Sequence, residues 1–305
     1  MEIRKFKKKE ATGDTFFAPI FNIDSRSNDS QPINKSTINQ IIKKMNIVVC
    51  IKQVPDTTEI KIDPVKGTLI RDGVPSITNP DDKGGLEVAL QLKDKFGAHV
   101  TVITMGLPMA EAILREALAM GADRAILLTD RKLAGADTLA TSNAIAGLLR
   151  TLDYDLVITG RQAIDGDTAQ VGPQIAEHLG LPQVSYVAGV EYDGKNTLTI
   201  RKEDEDAHQI LEVEMPAVLT VLAPAFKPRY MTVSGIINAY DTHEIEIWGA
   251  DKIDVDEKKL GLNGSPTRVK KSFTKPQKVA GEVYEVTPEE AVGLIVSKLK
   301  EKFII

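Results

Sequence analysis

Between Met45 and Val187 the chain repeats one pattern: a short run of Val, Ile and Leu, a polar break, then a longer stretch with helical spacing. Strand candidates are Asn46–Ile51, His99–Thr104, Arg124–Thr129, Asp155–Thr159 and Val184–Val187. Helix candidates lie between them at Pro80–Phe96, Pro108–Met120, Asp137–Leu152 and Ala169–Leu179. Apolar runs that do not alternate belong to strands covered on both faces. Repeated βα units then predict an α/β fold, a doubly wound parallel sheet with helices on both faces. In such sheets the ligand crevice lies beyond the C-terminal ends of the strands.

The strand ends are therefore where function is expected. After Ile158 the chain enters the loop Gly160-Arg161-Gln162-Ala163-Ile164-Asp165-Gly166-Asp167-Thr168-Ala169-Gln170-Val171, followed by the helical stretch Gly172–Leu179. A strand that breaks at a glycine, crosses a polar loop and enters a helix can cradle a phosphate or nucleotide. Small residues admit the ligand to the backbone, and the helix start offers unpaired N–H groups. An ordinary strand-to-helix loop has the same local pattern, because short motifs recur by chance. Ile51 is followed by Lys52-Gln53-Val54-Pro55-Asp56-Thr57, and Ile103 by Thr104-Met105-Gly106-Leu107-Pro108. Asn79-Pro80-Asp81-Asp82 is a helix entrance: Asn79 suits a cap, Pro80 the first helical position, and the two acids the helix dipole.

A net charge of -5, with 42% apolar and 27% charged residues, describes a soluble globular chain. Nucleic acid is not an expected partner, since backbone phosphates demand concentrated Lys and Arg. Lys7-Lys8-Lys9 and Lys270-Lys271 are expected to be solvated surface. Cys50 is the single cysteine, which excludes an intramolecular disulfide or a CxxC metal site. The histidines, His99, His178, His208 and His243, lack ligand spacing, so no metal is expected. No stretch reaches the ~18 apolar residues of a spanning helix. No membrane insertion and a cytoplasmic location are expected.

Residues 1–44 form an expected flexible extension: basic at Met1–Glu10 without a following apolar run, then rich in Ser, Asn, Asp and Pro. Beyond Val187 the pattern changes. Val190–Tyr192, Leu198–Arg201 and Gln209–Val213 suggest an antiparallel hairpin around Asp193–Asn196 and the acidic run Glu203–Asp206. Ala217–Leu222 is a further buried strand. From Ala223 the chain is expected to be irregular up to a final helix, Pro288–Lys300, an arm suited to lying over a partner. The domains expected are 1–44, the extension; 45–223, the nucleotide-binding α/β domain; and 224–305, the C-terminal arm and helix.

Together these segments resemble the beta subunit of electron-transferring flavoprotein. The resemblance is carried by Val49–Asp56, Arg71–Val74, Asn79–Asp82, Ala117–Arg124, Gly160–Asp165, Arg201–Asp204, Met215–Thr220 and Pro228–Tyr230, in order from Met45 onward. It implies a Rossmann-like domain that binds an adenine nucleotide, in a heterodimer whose alpha subunit carries an FAD serving a dehydrogenase. Two branches differ at the beta site. The respiratory branch holds AMP and typically has DDDCNQTG where this chain has Asp165-Gly166-Asp167-Thr168-Ala169-Gln170-Val171-Gly172. The electron-bifurcating branch holds a second FAD, and its loop is similar to the one here. Gly166 and Ala169 replace larger polar residues and leave room over a pyrophosphate and ribityl chain.

The bifurcating resemblance implies an FAD that takes hydride from NADH. One electron then passes to ferredoxin or flavodoxin, the other through the alpha-subunit FAD to a dehydrogenase. Because the cofactor does the redox chemistry, no catalytic side chain is assigned. Family position sets Cys50, Asn79, Pro80, Asp81, Asp82, Met105 and Gly160–Val171 against the nucleotide, with Asp165, Thr168 and Gln170 as polar contacts. The Thr168 and Ala169 N–H groups would face the phosphates, and Met105-Gly106 the approach of NADH. The dehydrogenase-docking loop aligns with Arg229–Tyr240, with Val233 as its apolar anchor. The usual Lys-rich stretch is replaced by Asn238–Glu244, which suggests a dedicated dehydrogenase, of the acyl-CoA type or another. Two other readings share the sheet. A stand-alone stress-type nucleotide-binding protein would need neither arm nor hairpin. An ATP-pyrophosphatase would need an SGGxDS loop where this chain has Lys52–Thr57.

Overall fold

The computed structural model describes residues 7–9, 44–56, 75–268, 270 and 281–305. In chain order the elements of the sheet domain are β1 (Lys7–Lys9), β2 (Asn46–Cys50), β3 (Gln53–Pro55), β4 (Ser76–Thr78), α1 (Pro80–Phe96), β5 (His99–Met105), α2 (Glu111–Met120), β6 (Arg124–Leu128), α3 (Thr138–Leu149), β7 (Leu156–Gly160), α4 (Val171–Leu179), β8 (Gln183–Tyr192), β9 (Thr197–Glu203), β10 (His208–Glu214), β11 (Ala217–Val221), α5 (Val233–Asp241) and β12 (Ile245–Trp248). A second unit, described over residues 281–305, contains α6 (Pro288–Glu301).

The main sheet runs β1-β10-β9-β8-β11-β7-β2-β5-β6-β12, and β3 and β4 form a separate pair. From β8 to β12 neighbouring strands are parallel. On the other side β8, β9, β10 and β1 continue it antiparallel. In β2, Ile47 and Val49 face a core shared with α1 and α2, while Val48 faces one shared with α3 and α4. Helices thus cover both faces of the parallel part, which is why its central strands do not alternate apolar and polar residues. The α/β expectation holds.

Chain order crosses from β2 to β5 and β6 on one side, then returns to β7 on the other. The direction reverses beside β2, the position at which an open α/β sheet leaves a crevice. α1 closes tightly over β7 because it has glycines where it crosses: a Cβ on Gly85 would lie 3.0 Å from Ile158 Cγ2.

Some expectations change. Val184–Val187 and Val190–Tyr192 belong to one strand, β8, whose pairing slips at Tyr186. Tyr186 takes a φ of 59°, so the strand bends and carries on from the parallel sheet into the hairpin. The turn predicted at Asp193–Asn196 closes around Asp193 Oδ1, which accepts N–H bonds from Lys195, Asn196 and Thr197 at 2.8, 3.0 and 3.1 Å. The stretch after Ala223 is not irregular throughout. It supplies α5 and β12, and it buries Ala239, Ala250, Ile253 and Leu260. Of the extension 1–44, Lys7–Lys9 pair with β10; its other residues up to 43 lie outside the described residues, as do Arg71–Val74. No helix among the described residues is long and apolar enough to cross a membrane.

Candidate functional site

Cys50 of β2 pairs with Ile103 on one side and Thr159 on the other, so the ends of β2, β5 and β7 lie level. The Asn79–Asp82 entrance of α1 is inserted among them. Asn79 is fully buried, and its side chain does not cap the helix. Instead Nδ2 donates to the Gln162 carbonyl at 2.8 Å and Oδ1 accepts from the Ile164 N–H at 3.1 Å. The sequence-based cap assignment is corrected for this reason: the loop after β7 presents a donor and an acceptor that match both ends of the amide. Pro80 does occupy the first turn and is exposed.

Asp82 joins two strand ends. Its Oδ2 accepts from Lys52 N–H at 2.8 Å and its Oδ1 from Gly160 N–H at 3.0 Å. Burial pushes its pKa up to about 7, and those backbone N–H bonds offset only part of the cost. Asp81 adds the end of β11 and a second hold on the same loop, accepting from Ala223 N–H at 2.9 Å and Gln162 N–H at 3.3 Å. Gly160 is set by this packing. A Cβ there would lie 2.7 Å from both Asp81 Cβ and Asp82 N, so α1 itself excludes any side chain. Burial also holds the Cys50 thiol well above its ordinary range. It is a poor nucleophile and a small lining group.

The loop is bent by its own residues. Gly166 and Asp167 N–H groups turn back onto the Ala163 carbonyl at 3.2 and 2.8 Å. Gln162 Nε2 donates to Asp167 Oδ1 at 2.6 Å. Asp167 and Ala169 both have a φ of 53°, and Gln170 returns to the right-handed region at φ -104° and ψ -30°. A left-handed residue followed by a right-handed one turns successive N–H groups toward one concavity, an anion nest. That nest runs directly into α4, whose start has no side-chain cap. The first N–H groups of a helix lack intrahelical partners. Around Gly166 a Cβ would meet nothing within 4 Å, so this part of the loop is open. Gly172, by contrast, is needed where α4 packs on the sheet: its Cβ would lie 2.6 Å from Thr159 Oγ1. Val171 packs on the core shared by α3 and α4, and Thr168 is exposed.

Three neighbours of the loop stand outside the expected nucleotide contacts. Lys52 Nζ bonds both oxygens of Asp165, at 2.6 and 2.8 Å, across the crevice mouth. Thr138, at the start of α3, donates to Gln170 Oε1 at 2.9 Å. Tyr186 lies under the Arg161 guanidinium, 5.7 Å from its ring centre. The buried Arg161 Nε lies 3.5 Å from an Asp81 carboxylate oxygen, an ion pair without hydrogen-bond geometry. Lys52 follows a strand end and lies in the Val49–Asp56 segment that carries the resemblance, whereas Thr138 and Tyr186 carry no such signal. Met105 and Gly106 end β5 on the opposite flank of β2. Met105 packs on the core, and Gly106 N–H bonds the Leu128 carbonyl at 3.1 Å. Asn79, Asp81 and Asp82 thus contact Gly160, Arg161, Gln162 and Ile164, while Met105 and Gly106 lie apart on the other flank of β2. The α4 nest and the open Gly166 fit a phosphate-bearing nucleotide.

Comparison with known proteins gives the family. The family described as Electron transfer flavoprotein domain matches residues 66–252. The electron transfer flavoprotein subunit beta of Clostridium acetobutylicum is 62% identical over 261 residues, covering 86% of this chain and all of that protein. The caffeyl-CoA reductase-Etf complex subunit CarD of Acetobacterium woodii is 51% identical over 264 residues, covering 86% of this chain and all of that protein. The acryloyl-CoA reductase electron transfer subunit gamma of Anaerotignum propionicum is 46% identical over 271 residues, with the same coverages. With more than half of its length matched by the family and a beta subunit of the family covered end to end, the chain belongs to the electron transfer flavoprotein family, as a beta subunit.

Proposed function

We propose that this beta subunit pairs with an alpha subunit and holds FAD in the crevice at the ends of β2, β5 and β7. There NADH is the electron donor, ferredoxin or flavodoxin one acceptor, and a dehydrogenase, through the alpha-subunit FAD, the other. The observation that carries the reading is the loop after β7, in which the left-handed Ala169 leads into an uncapped α4 beside an open Gly166. Two relatives named for the caffeyl-CoA and acryloyl-CoA reductase systems support a reductase complex as the destination.

When bound, the flavin supplies hydride acceptance and one-electron release. The chain supplies position. The N–H groups from Ala169 to Gly172 would hold the diphosphate. Asn79, Asp81 and Asp82 keep the loop, β2 and the end of β11 at fixed spacing, so the cradle does not reorganise when it is filled. Met105 and Gly106, at the end of β5, would face the nicotinamide. The exposed Tyr230, Val233, Ile237 and Tyr240 form the face for the dehydrogenase, and residues 224–305 provide the contacts with alpha subunit and dehydrogenase.

Co-purification with the alpha subunit, followed by extraction and counting of nucleotides, tests the proposal. Two FAD per heterodimer and bleaching by NADH are expected. One FAD with one AMP, and no response to NADH, would replace this reading with the AMP-holding form.

A further inference from the structure

The face assigned to the dehydrogenase is carried by a helix that buries almost nothing. In α5 only Ala239 is buried, while Val233, Ile236, Ile237 and Tyr240 are exposed. A helix this short is not stable in water by itself, because nucleation outweighs the few bonds that follow. Its shape must come from its attachments.

Each attachment is specific. Just before α5, Arg229 donates Nε and an Nη to the two oxygens of Glu87 at 3.0 and 3.1 Å, and its backbone N–H to Glu87 at 3.0 Å. Glu87 is buried in α1. Burial pushes its carboxyl up, but the Arg229 bonds outweigh this and hold it below the usual range. Within the first turn, Gly235 lies so close to the end of α2 that a Cβ would be 3.1 Å from the Ala119 carbonyl carbon. At the far end Arg115 of α2 donates to the carbonyls of Ala239 and, at 2.7 Å, His243. Its other nitrogens hold Glu111 at 3.1 and 3.0 Å, and its guanidinium lies 5.3 Å from the Tyr240 ring centre. The last carbonyls of a helix have no partner within it, so this cap closes α5.

We propose that Arg115 and the Glu87–Arg229 pair are positioning residues for the electron-accepting dehydrogenase: they hold α5 as a preformed docking helix. The proposal rests on the docking face assigned above. The same α1 that fixes the crevice through Asp81 and Asp82 fixes α5 through Glu87. Docking face and nucleotide site are thereby built on one rigid element. Preformation matters because a face ordered before encounter does not lose that entropy on binding. Lysine cannot substitute at position 115. It keeps the charge but lacks the planar fork that reaches two carbonyls and Glu111 at once.

The test uses the intact alpha–beta heterodimer and the caffeyl-CoA reductase of Acetobacterium woodii as the dehydrogenase probe. Arg115→Lys and Glu87→Gln are each expected to raise KM for the dehydrogenase about tenfold with kcat at saturation unchanged. Amide exchange over residues 233–241 should accelerate in both while the crevice loop keeps its wild-type exchange. Val233→Asp, on the face itself, should raise KM without changing that exchange. If Val233→Asp raises KM and the other two leave it unchanged, the positioning role is overturned. Should Val233→Asp leave KM unchanged, the docking face is overturned and the proposal with it.

Discussion

Single residues at the crevice divide into those that touch other parts of the chain and those left open, and their substitutions should differ accordingly. Gly160 has α1 against it, so Gly160→Ala forces that helix off β7 and should cost about 1–3 kcal/mol of stability, read as a lower denaturation midpoint. Gly166→Ala meets no atom within 4 Å and should leave the midpoint unchanged. Asp82 makes stability depend on pH in an uncommon direction. Its carboxyl titrates near 3.8 when unfolded and near 7 when folded, so between those values the folded chain holds more protons. Stability should therefore fall as pH rises through this window and level off above it. Asp82→Asn should flatten that slope while lowering stability overall, because an amide presents only one acceptor to the two N–H groups. Denaturant melts at several pH values check both. Lys52→Ala removes the strap from Asp165. As Lys52 is 46% exposed, the midpoint should move by no more than about 1 kcal/mol, whereas amide exchange in the loop should quicken.

Elements whose pattern is periodic were legible in the sequence; those anchored at isolated points were not. α1 to α4 and the strands between them follow from apolar spacing, and their ends fall within a few residues of expectation. α5 and β12 do not follow, for identifiable reasons. α5 buries one alanine, and its fit to α2 depends on the absence of a side chain at Gly235. β12 has four residues and is defined by pairing with β6, which no local pattern reveals. α6 was legible from its stripe and has a capping box, with Thr287 and Glu290 bonding each other's backbone. Thr287→Ala should cost that helix about 0.5–2 kcal/mol, seen as faster exchange over residues 288–291.

Across the whole molecule, protection should follow the sheet order. β2, β7 and β11 are covered on both faces by buried side chains and should open only with global unfolding, whereas α6 has no buried residue. Native-state hydrogen exchange should place their amides at opposite ends of the stability range. By itself the sequence determined the α/β class, the positions of the strand ends and the glycine-containing loop between β7 and α4, because apolar periodicity and glycine placement act over a few neighbouring residues. Only the tertiary structure decided what the polar residues there do. Asn79 is not a cap, Asp81 and Asp82 tie four segments together, and Lys52 and Thr138 reach the loop from elsewhere in the chain. Those partners lie 30 to 142 residues apart, and a side chain's partner depends on which strand ends the sheet order makes adjacent.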